Sequence, residues 1–292
     1  MADDVRLGTV VDTPAGPMQY LEVGSGSPVL FVHGSPGGCD AGELMTRFLV
    51  AAGFWVICPS RPGYLDTPLT DDNATPAVQG QMQLAVMDSL GIDRFAVVCW
   101  SGGGPSSYRL AADHPDRVAA LVPIAALSGR HTIPRSFSGH ILERRYGKWI
   151  IDEMVRHSGK SLIKATLAEE GSFDKSQLKT LVDEIWADDD KRAFVLDLAA
   201  IIAGRRPGLE NDVAQFPVMD DLGLGSITAP VLLVHGTIDS DVAPEHSDRA
   251  AQQLRNVERH DIEGGSHIGP WTGPGEVEAQ AHIVEFLRAH PA

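Results

Sequence analysis

The most informative stretch of this 292-residue sequence is AVVCWSGGG, residues 96–104. Apolar residues typical of a buried strand lead into Ser101, and the small residues that follow let a helix begin without steric clash. A serine on such a tight strand-to-helix turn projects its hydroxyl above the sheet, where the N-terminus of the helix stabilises negative charge. The stretch makes Ser101 a candidate nucleophile; the alternative is that Ser101 only caps the helix.

Strands and helices alternate on both sides of this stretch, which implies a mostly parallel sheet with helices on both faces, an α/β fold. The predicted strands are Val5–Thr13, Met18–Val23, Val29–Val32, Phe54–Cys58, Phe95–Cys99, Val118–Ile124, Val231–Val234 and Val257–Ile262. The helices predicted among them are Ala41–Ala52, Thr75–Leu90, Gly102–Ala112, Glu245–Leu254 and Val277–Ala289.

Between the sixth and seventh predicted strands the alternation stops. That segment carries only predicted helices: Ile141–Val155, Ser161–Glu169, Lys175–Trp186 and Arg192–Ala203. From Arg130 to Ser226 there are 14 basic and 16 acidic residues, so most of the excess negative charge lies outside the segment. We therefore expect a core at 1–129 and 226–292, interrupted by a helical cap at 130–225.

Composition and charge exclude several functional classes. The chain holds 24 Lys and Arg against 39 Asp and Glu, a net charge of −15 that repels phosphate backbones and argues against a nucleic-acid partner. Cys39, Cys58 and Cys99 fit neither a disulfide framework nor a metal site. The acidic N-terminus is unlike a signal peptide, and no apolar run approaches the ~20 residues needed to span a bilayer. We expect a cytoplasmic protein without a membrane partner.

A second motif, HGSPGG at residues 33–38, directly follows a predicted buried strand. A loop at the carboxyl end of a strand can aim a backbone N–H at a developing oxyanion. Pro36 has no N–H, so Ser35 is the better donor, and the N–H of Gly102 is expected to complete the oxyanion hole. His33 is interpreted mainly as a residue that orders this loop, and it is kept as a candidate for substrate binding.

Two further motifs supply the acid and the base that a serine nucleophile needs. Asp239 and His267 each follow a predicted strand, as Ser101 does. A histidine must take the serine proton, and a carboxylate must fix the tautomer of that histidine. The chain order serine, acid, histidine therefore predicts a triad of Ser101, Asp239 and His267. Asp241 is an alternative acid, although a role in the loop or in helix capping is favoured for it.

At these motifs the chain resembles the α/β-hydrolase superfamily, over the whole sheet-forming part on both sides of the insertion. Residues 33–37 resemble the oxyanion loop of this family, and RPGY at 61–64 resembles an element that often follows the next strand. The three triad candidates match the triad positions of the family, and residues 130–225 correspond to its helical cap. Cys99 replaces the first glycine of the usual G-x-S-x-G turn, and Leu65-Asp66-Thr67 stands where many members carry glycine and serine.

The residue at the nucleophile position separates the chemistries of this superfamily. Haloalkane dehalogenases and epoxide hydrolases carry aspartate there, whereas serine implies an acyl-enzyme route to ester, thioester or amide hydrolysis. The resemblance thus implies a serine hydrolase without metal or cofactor, and we expect a carboxylesterase acting on a small or medium ester. Two alternatives stay open: an aminopeptidase similar to proline iminopeptidases, and a ligand receptor that retains the triad.

The predicted cap offers candidates for substrate recognition, but no spacing selects among them. Trp100, beside the nucleophile, and two cap residues, Trp149 and Trp186, are candidate substrate contacts. Other residues could line an apolar acyl pocket, although packing is the ordinary role of each: Phe137, Ile141, Tyr146, Ile150, Phe194 and Phe216. Four carboxylates could instead bind a substrate ammonium, as in proline iminopeptidases: Glu143, Asp152, Glu153 and Glu170. We expect a small-molecule partner, and the sequence leaves homo-oligomerisation open.

Overall fold

The computed structural model describes residues 8–133, 147–203 and 205–292. These residues form an eight-stranded sheet: β1 (Thr9–Thr13), β2 (Gly16–Gly24), β3 (Ser27–Val32), β4 (Phe54–Pro59), β5 (Phe95–Trp100), β6 (Val118–Ile124), β7 (Val231–Gly236) and β8 (Val257–Ile262). The strand order is β1-β2-β4-β3-β5-β6-β7-β8. β2 pairs antiparallel with β1 and β4, and the other neighbours pair parallel. The predicted mostly parallel α/β fold is confirmed.

Helices cover both faces of the sheet because its central strands are apolar on both sides. Every residue of β5, β6 and β7 is buried. Neighbouring residues along a strand point to opposite faces, so Val98 joins one hydrophobic cluster and Val97 joins the other. The helices of the sheet-forming part are α1 (Cys39–Met45), α2 (Arg47–Ala51), α3 (Pro76–Ser89), α4 (Gly104–Asp113), α9 (Glu245–Gln253), α10 (Gly269–Thr272) and α11 (Glu276–Ala289).

Between β6 and β7 the described part of the chain forms helices joined by turns and loops, and it adds no strand to the sheet. Its helices are α5 (Gly147–Glu170), α6 (Lys175–Ala187), α7 (Asp189–Ile202) and α8 (Arg206–Gln215), and we call residues 147–215 the helical segment. Two predicted helices merge in α5, which is interrupted at Ser158, where φ is −143° and ψ is 30°. α8 was not predicted. No helix in the described ranges is long and apolar enough to cross a membrane.

One predicted helix of the core is divided in two. The expected helix Ala41–Ala52 ends early at Met45 and restarts at Arg47. Between them the Thr46 hydroxyl donates to the carbonyl of Gly42 at 2.7 Å, a side-chain bond to the preceding turn that bends helices. The break lies beside β4 and leaves the sheet unaffected, so the site at the carboxyl ends of the strands keeps its geometry.

Candidate active site

Ser101 lies on the turn between β5 and α4, in backbone that a serine adopts at a cost. Its φ is +52°, in the left-handed region, and its side chain is 4% exposed. The glycines after it are required by close backbone contacts: a Cβ on Gly103 would fall 2.3 Å from the Val32 carbonyl oxygen, and one on Gly104 would fall 2.6 Å from that of Leu127. The sequence therefore forces this turn and holds Ser101 at the carboxyl edge of the sheet.

Asp239 and His267 meet in the loops that follow β7 and β8. Nδ1 of His267 and Oδ2 of Asp239 are 2.7 Å apart, and neither side chain is more than 1% exposed. Oδ1 of Asp239 accepts from the backbone N–H groups of Asp241 and Val242, each at 2.9 Å. His235 also approaches Oδ2, with its Nε2 at 3.2 Å. Both carboxylate oxygens of Asp239 are thus fixed, as orienting the imidazole requires.

The alternative acid, Asp241, lies on the other side of the ring. Its Oδ2 is 3.4 Å from Nε2 of His267, and its side chain is 40% exposed. This contact lacks hydrogen-bond geometry, because Nε2 is buried without a hydrogen-bond partner among the described residues. Asp239 therefore occupies the position at Nδ1 that fixes a tautomer, and Asp241 stands beside the nitrogen that exchanges protons in a triad.

The surrounding carboxylates favour the protonated form of His267. Burial alone lowers the pKa of this imidazole, but the charge of Asp239 and its hydrogen bond, together with the charges of Asp241 and Glu170, raise it to about 10. Burial likewise opposes ionisation of Asp239, yet its histidine partners lower the pKa of that carboxyl to about 2. Asp239 stays charged at neutral pH, and His267 holds a proton more firmly than a free imidazole does.

Trp100 holds the His267 residue in place. Its indole N–H donates to the His267 carbonyl at 3.3 Å, and the two rings lie 5.0 Å apart at 37°. Trp100 is 5% exposed. The structure thus shows a packing role for Trp100 beside His267, and its contact with a substrate stays a prediction.

The end of α5 reaches the same site. The Glu170 carbonyl accepts from the His267 N–H at 2.8 Å, and two further bonds join this end of the helix to the loop after β7. Burial, with a smaller contribution from the charges of Asp239 and Asp241, raises the pKa of the Glu170 carboxyl to about 8, even though His267 acts in the opposite sense. The structure thus brings one of the four candidate carboxylates to the predicted triad.

The loop at residues 33–37 packs against the serine turn. A Cβ on Gly34 would fall 2.9 Å from Cβ of Ser101, and a Cβ on Gly102 would fall 2.1 Å from Oγ of Ser35. The structure therefore brings together Ser35 and Gly102, the two predicted oxyanion donors. Glycine is required at 34 and 102, because a side chain at either position would separate the loop from the turn.

His33 orders this loop and has no nitrogen left for a substrate. Its Nδ1 donates to the carbonyl of Gly34 at 2.7 Å, and its Nε2 accepts from the backbone N–H of Arg61 at 2.9 Å. Burial and the charge of Arg61 hold the pKa of His33 well below its ordinary value, so the ring is neutral. These contacts agree with the ordering role, and the alternative role of His33 in substrate binding stays a prediction.

A buried ion pair connects the helical segment to this loop. Asp212 on α8 binds both terminal nitrogens of Arg61 at 2.7 and 2.8 Å, and it accepts from the hydroxyls of Ser35 at 2.5 Å and Tyr64 at 2.6 Å. Arg61 in turn donates to the carbonyls of His33 at 3.1 Å and Gly34 at 2.9 Å. Sequence reasoning identified the RPGY element but missed Asp212, because its helix was not predicted.

The structure does not place the predicted cap tryptophans in an enclosed pocket. Trp149 is 66% exposed, and Trp186 is 38% exposed with the Arg192 guanidinium 5.4 Å from its ring. The described residues enclose neither ring, and a substrate-binding role for Trp149 and Trp186 stays a prediction. Phe216 is the better candidate: it is 2% exposed, and its Cζ is 3.1 Å from where a Cβ on Gly102 would lie.

The other candidates from the predicted cap fall into three groups. Phe194 packs in the core, where it stacks on Trp271 with 6.0 Å between ring centroids. The side chain of Glu153 is 45% exposed and pairs with Arg156 and His157. The remaining candidates, as whole residues or as side chains, lie outside the described part of the structure: Phe137, Ile141, Glu143, Tyr146, Ile150 and Asp152.

Within the described ranges, one group of side chains has the spacing of a metal site. One oxygen of Glu170, one of Asp241 and a ring nitrogen of His267 lie within 4.8 Å of one another. A metal ion there would occupy the imidazole that a serine nucleophile needs as its base. The arrangement suits proton transfer: a constrained serine, an imidazole fixed by a carboxylate and a loop with backbone donors.

This chain belongs to the alpha/beta hydrolase fold family, whose model matches residues 27–274. A solved alpha/beta hydrolase fold protein from Nakamurella multipartita has 43% identity and a TM-score of 0.91, over 96% of this chain and 99% of its own. An uncharacterized hydrolase of Bacillus subtilis is 26% identical over 94% of this chain and 96% of its own length. A 2-hydroxy-6-oxononadienedioate/2-hydroxy-6-oxononatrienedioate hydrolase of Paraburkholderia xenovorans is 27% identical over 92% of this chain and 90% of its own length. The predicted superfamily is confirmed.

Proposed function

We propose that this protein is a serine hydrolase that cleaves a small or medium carboxylic ester through an acyl-enzyme on Ser101. The observation that carries the proposal is the 2.7 Å bond between Nδ1 of His267 and Asp239. That bond fixes the imidazole so that Nε2 is the nitrogen left to act as the base; Nε2 is buried and makes no hydrogen bond to Ser101 or to any other described residue in this structure. Membership of a hydrolase family supports the same reading.

The reaction follows from the roles of these residues. His267 Nε2 takes the proton of the Ser101 hydroxyl while the oxygen attacks the ester carbonyl, and the N–H groups of Ser35 and Gly102 stabilise the oxyanion. The protonated Nε2 then gives its proton to the departing alcohol. Water repeats the cycle on the acyl-enzyme, releases the acid and restores Ser101. No step needs a metal or a cofactor.

We assign residues 130–225 as a cap over this site, on a core formed by 1–129 and 226–292. Two contacts of the helical segment support the assignment: Asp212 binds Arg61 beneath the oxyanion loop, and Glu170 lies beside His267. A cap fixed at these two places excludes water and shapes the pocket. In this assignment Phe216 forms part of the acyl-binding wall next to Gly102.

An aminopeptidase remains a second candidate function. The observation that favours it is the position of Glu170, the one of the four suggested carboxylates that the structure describes beside His267. A carboxylate there can bind the ammonium of a peptide N-terminus. The relative from Paraburkholderia xenovorans is named for a dienedioate, a substrate with two carboxylates, which the acidic surroundings of His267 would repel.

The experiment that tests the proposal is a screen of p-nitrophenyl esters of increasing acyl length beside a prolyl-anilide, with wild type and Ser101→Ala. We expect many turnovers on short and medium esters by wild type, little cleavage of the anilide, and loss of activity in the variant. Preferred cleavage of the anilide would support the aminopeptidase. Release of a single equivalent of product would instead support a receptor that retains the triad.

A further inference from the structure

Two carboxyl groups flank the nitrogen of His267 that exchanges protons in the proposed reaction. Asp241 Oδ2 is 3.4 Å from Nε2, and an oxygen of Glu170 lies within 4.8 Å of both groups. Oε2 of Glu170 is buried and has no hydrogen-bond partner. Neither carboxyl pairs with a Lys or Arg in the described ranges, although Asp212 and Asp40 at this edge of the sheet both pair with arginine.

The charges around this position are unbalanced once His267 is neutral. Glu169 and Glu170 approach from α5, and Asp239 and Asp241 approach from the loop after β7. The imidazole of His131 faces Asp239 and Asp241, but burial lowers its pKa and so disfavours its positive charge. The protonated His267 is then the balancing cation, and it must lose that proton before it can act as a base.

The position of the two carboxyls determines which part of a substrate they contact. Nε2 gives its proton to the departing alcohol, so groups beside Nε2 lie next to the alcohol portion. Phe216 lies by Gly102 and Ser35, where the acyl group is proposed to bind. A positive charge on that alcohol would meet two carboxyls that no other cation neutralises. An anionic alcohol portion would be repelled by both.

We propose that Glu170 and Asp241 form a subsite for a cationic group on the departing alcohol, so that the preferred substrates are esters of amino alcohols. The proposal rests on the proposed esterase function and specifies its substrate class. An ammonium group bound there balances the negative charge of the two carboxyls in place of the protonated His267. Binding of the substrate therefore favours the neutral imidazole that begins the reaction, and it keeps the otherwise unpaired Glu170 carboxyl ionised.

The test compares two esters that differ only in charge. Butyrylcholine and 3,3-dimethylbutyl butyrate share the acyl group and nearly the same shape, and a carbon replaces the cationic nitrogen in the second. We expect wild type to prefer butyrylcholine by about tenfold or more in kcat/KM. Glu170→Gln and Asp241→Asn should each bring the ratio of the two rates towards one.

The ratio of the two kcat/KM values is informative because both esters are measured on the same protein. Any change that a variant causes in the basicity of His267 acts on both esters and cancels. The matched control is Glu184→Gln, which removes one negative charge from an exposed position on α6 and should leave the ratio nearly unchanged. Raising the salt concentration should reduce the wild-type preference only modestly, because the Glu170 carboxyl is buried.

A wild-type ratio near or below one would overturn the proposal, as would a preference that both subsite variants retain. If neither ester is cleaved, protection of Ser101 from a fluorophosphonate decides the matter. Stronger protection by choline than by 3,3-dimethylbutanol, lost in the two variants, supports the subsite; equal protection contradicts it. Failure of Ser101 to react with the fluorophosphonate at all is a different result, which refutes the esterase proposal itself.

Discussion

Asp212 and Arg61 form an ion pair with contacts of 2.7 and 2.8 Å, although 151 positions separate them in the chain, and each side chain is 1% exposed. Arg61 also holds the carbonyls of the oxyanion loop, so a residue of the proposed cap supports the backbone that would bind the oxyanion. The proposed cap would therefore support the catalytic geometry of the core as well as determine specificity. We regard Asp212 as a positioning residue.

Replacing Asp212 tests this connection. Asp212→Asn leaves the Arg61 charge buried without its counter-ion, and breaking such a pair typically costs about 3–5 kcal/mol. We expect that loss in urea unfolding, together with a fall in kcat that exceeds any rise in KM. Glu210→Gln is the matched control: it removes an exposed pair on the same helix and should cost about 0.5 kcal/mol or less. Equal effects of the two substitutions would refute the positioning role.

The sequence predicts the residues at strand ends well and the residues of the helical segment poorly. Ser101 and Asp239 follow buried apolar strands and His267 follows the next strand of the sheet, and parallel strands bring their carboxyl ends to one edge, so the contact between Asp239 and His267 follows from local pattern and topology. Asp212 has no such signal. Its helix begins at Arg206 and continues with Pro207 and Gly208, two residues of low helix propensity, and its partner Arg61 is 151 positions earlier in the chain.

The identity of the acid is tested by two substitutions two residues apart. Asp239→Asn should leave the fold intact and lower kcat by roughly 10⁴, because an amide at Nδ1 favours the wrong tautomer of His267. Asp241→Asn should change kcat little at alkaline pH. Its side chain lies beside Nε2 and not at Nδ1, where the tautomer is fixed, and it is partly exposed. Steady-state kinetics of both variants on one p-nitrophenyl ester provides the comparison. The opposite ranking would make Asp241 the acid.

The pH dependence of the reaction should reflect the acidic surroundings of His267. Asp239, Asp241 and Glu170 raise the pKa of this imidazole from 6.5 to about 10, so the neutral base forms only as the pH rises. We expect kcat/KM for a neutral ester to increase with pH and to reach its plateau above the ordinary range of histidine. Removing a negative charge lowers that pKa, so Glu170→Gln and Asp241→Asn should move the rise to lower pH. A rise at the same pH in all three proteins would contradict this electrostatic account.

Acyl-chain preference should depend on Phe216. Phe216→Leu enlarges the space beside Gly102, and because one methylene in an apolar pocket is worth ~1–3 kcal/mol, preference between acyl lengths should shift by about 10–200-fold. Trp149→Ala changes a residue that is 66% exposed and should leave the preference unaltered. The kcat/KM values on acetyl to decanoyl p-nitrophenyl esters measure both. A shift in Trp149→Ala alone would support the sequence prediction for that tryptophan.

The fold prediction likewise succeeds where local sequence pattern decides the structure and fails where specific side-chain contacts decide it. The strand Val118–Ile124 was predicted residue for residue, because a short apolar run after the turn at 114–117, within a regular alternation of strands and helices, favours a buried strand. The division of one helix at Thr46 depends on a side-chain hydrogen bond, and the exposure of Trp149 depends on how helices pack. Neither can be read from hydrophobic periodicity alone, which reports that a residue is apolar and not what covers it.

The central claim is that Ser101 is the nucleophile, and covalent labelling tests it most directly. Wild type is treated with a fluorophosphonate, the intact mass is measured, and the modified peptide is mapped, with Ser101→Ala in parallel. The account predicts one adduct per chain on Ser101, no adduct in the variant, and strongly reduced labelling in His267→Ala, which lacks the base. A folded wild-type protein that takes up no label, or an adduct that persists in Ser101→Ala, would contradict it.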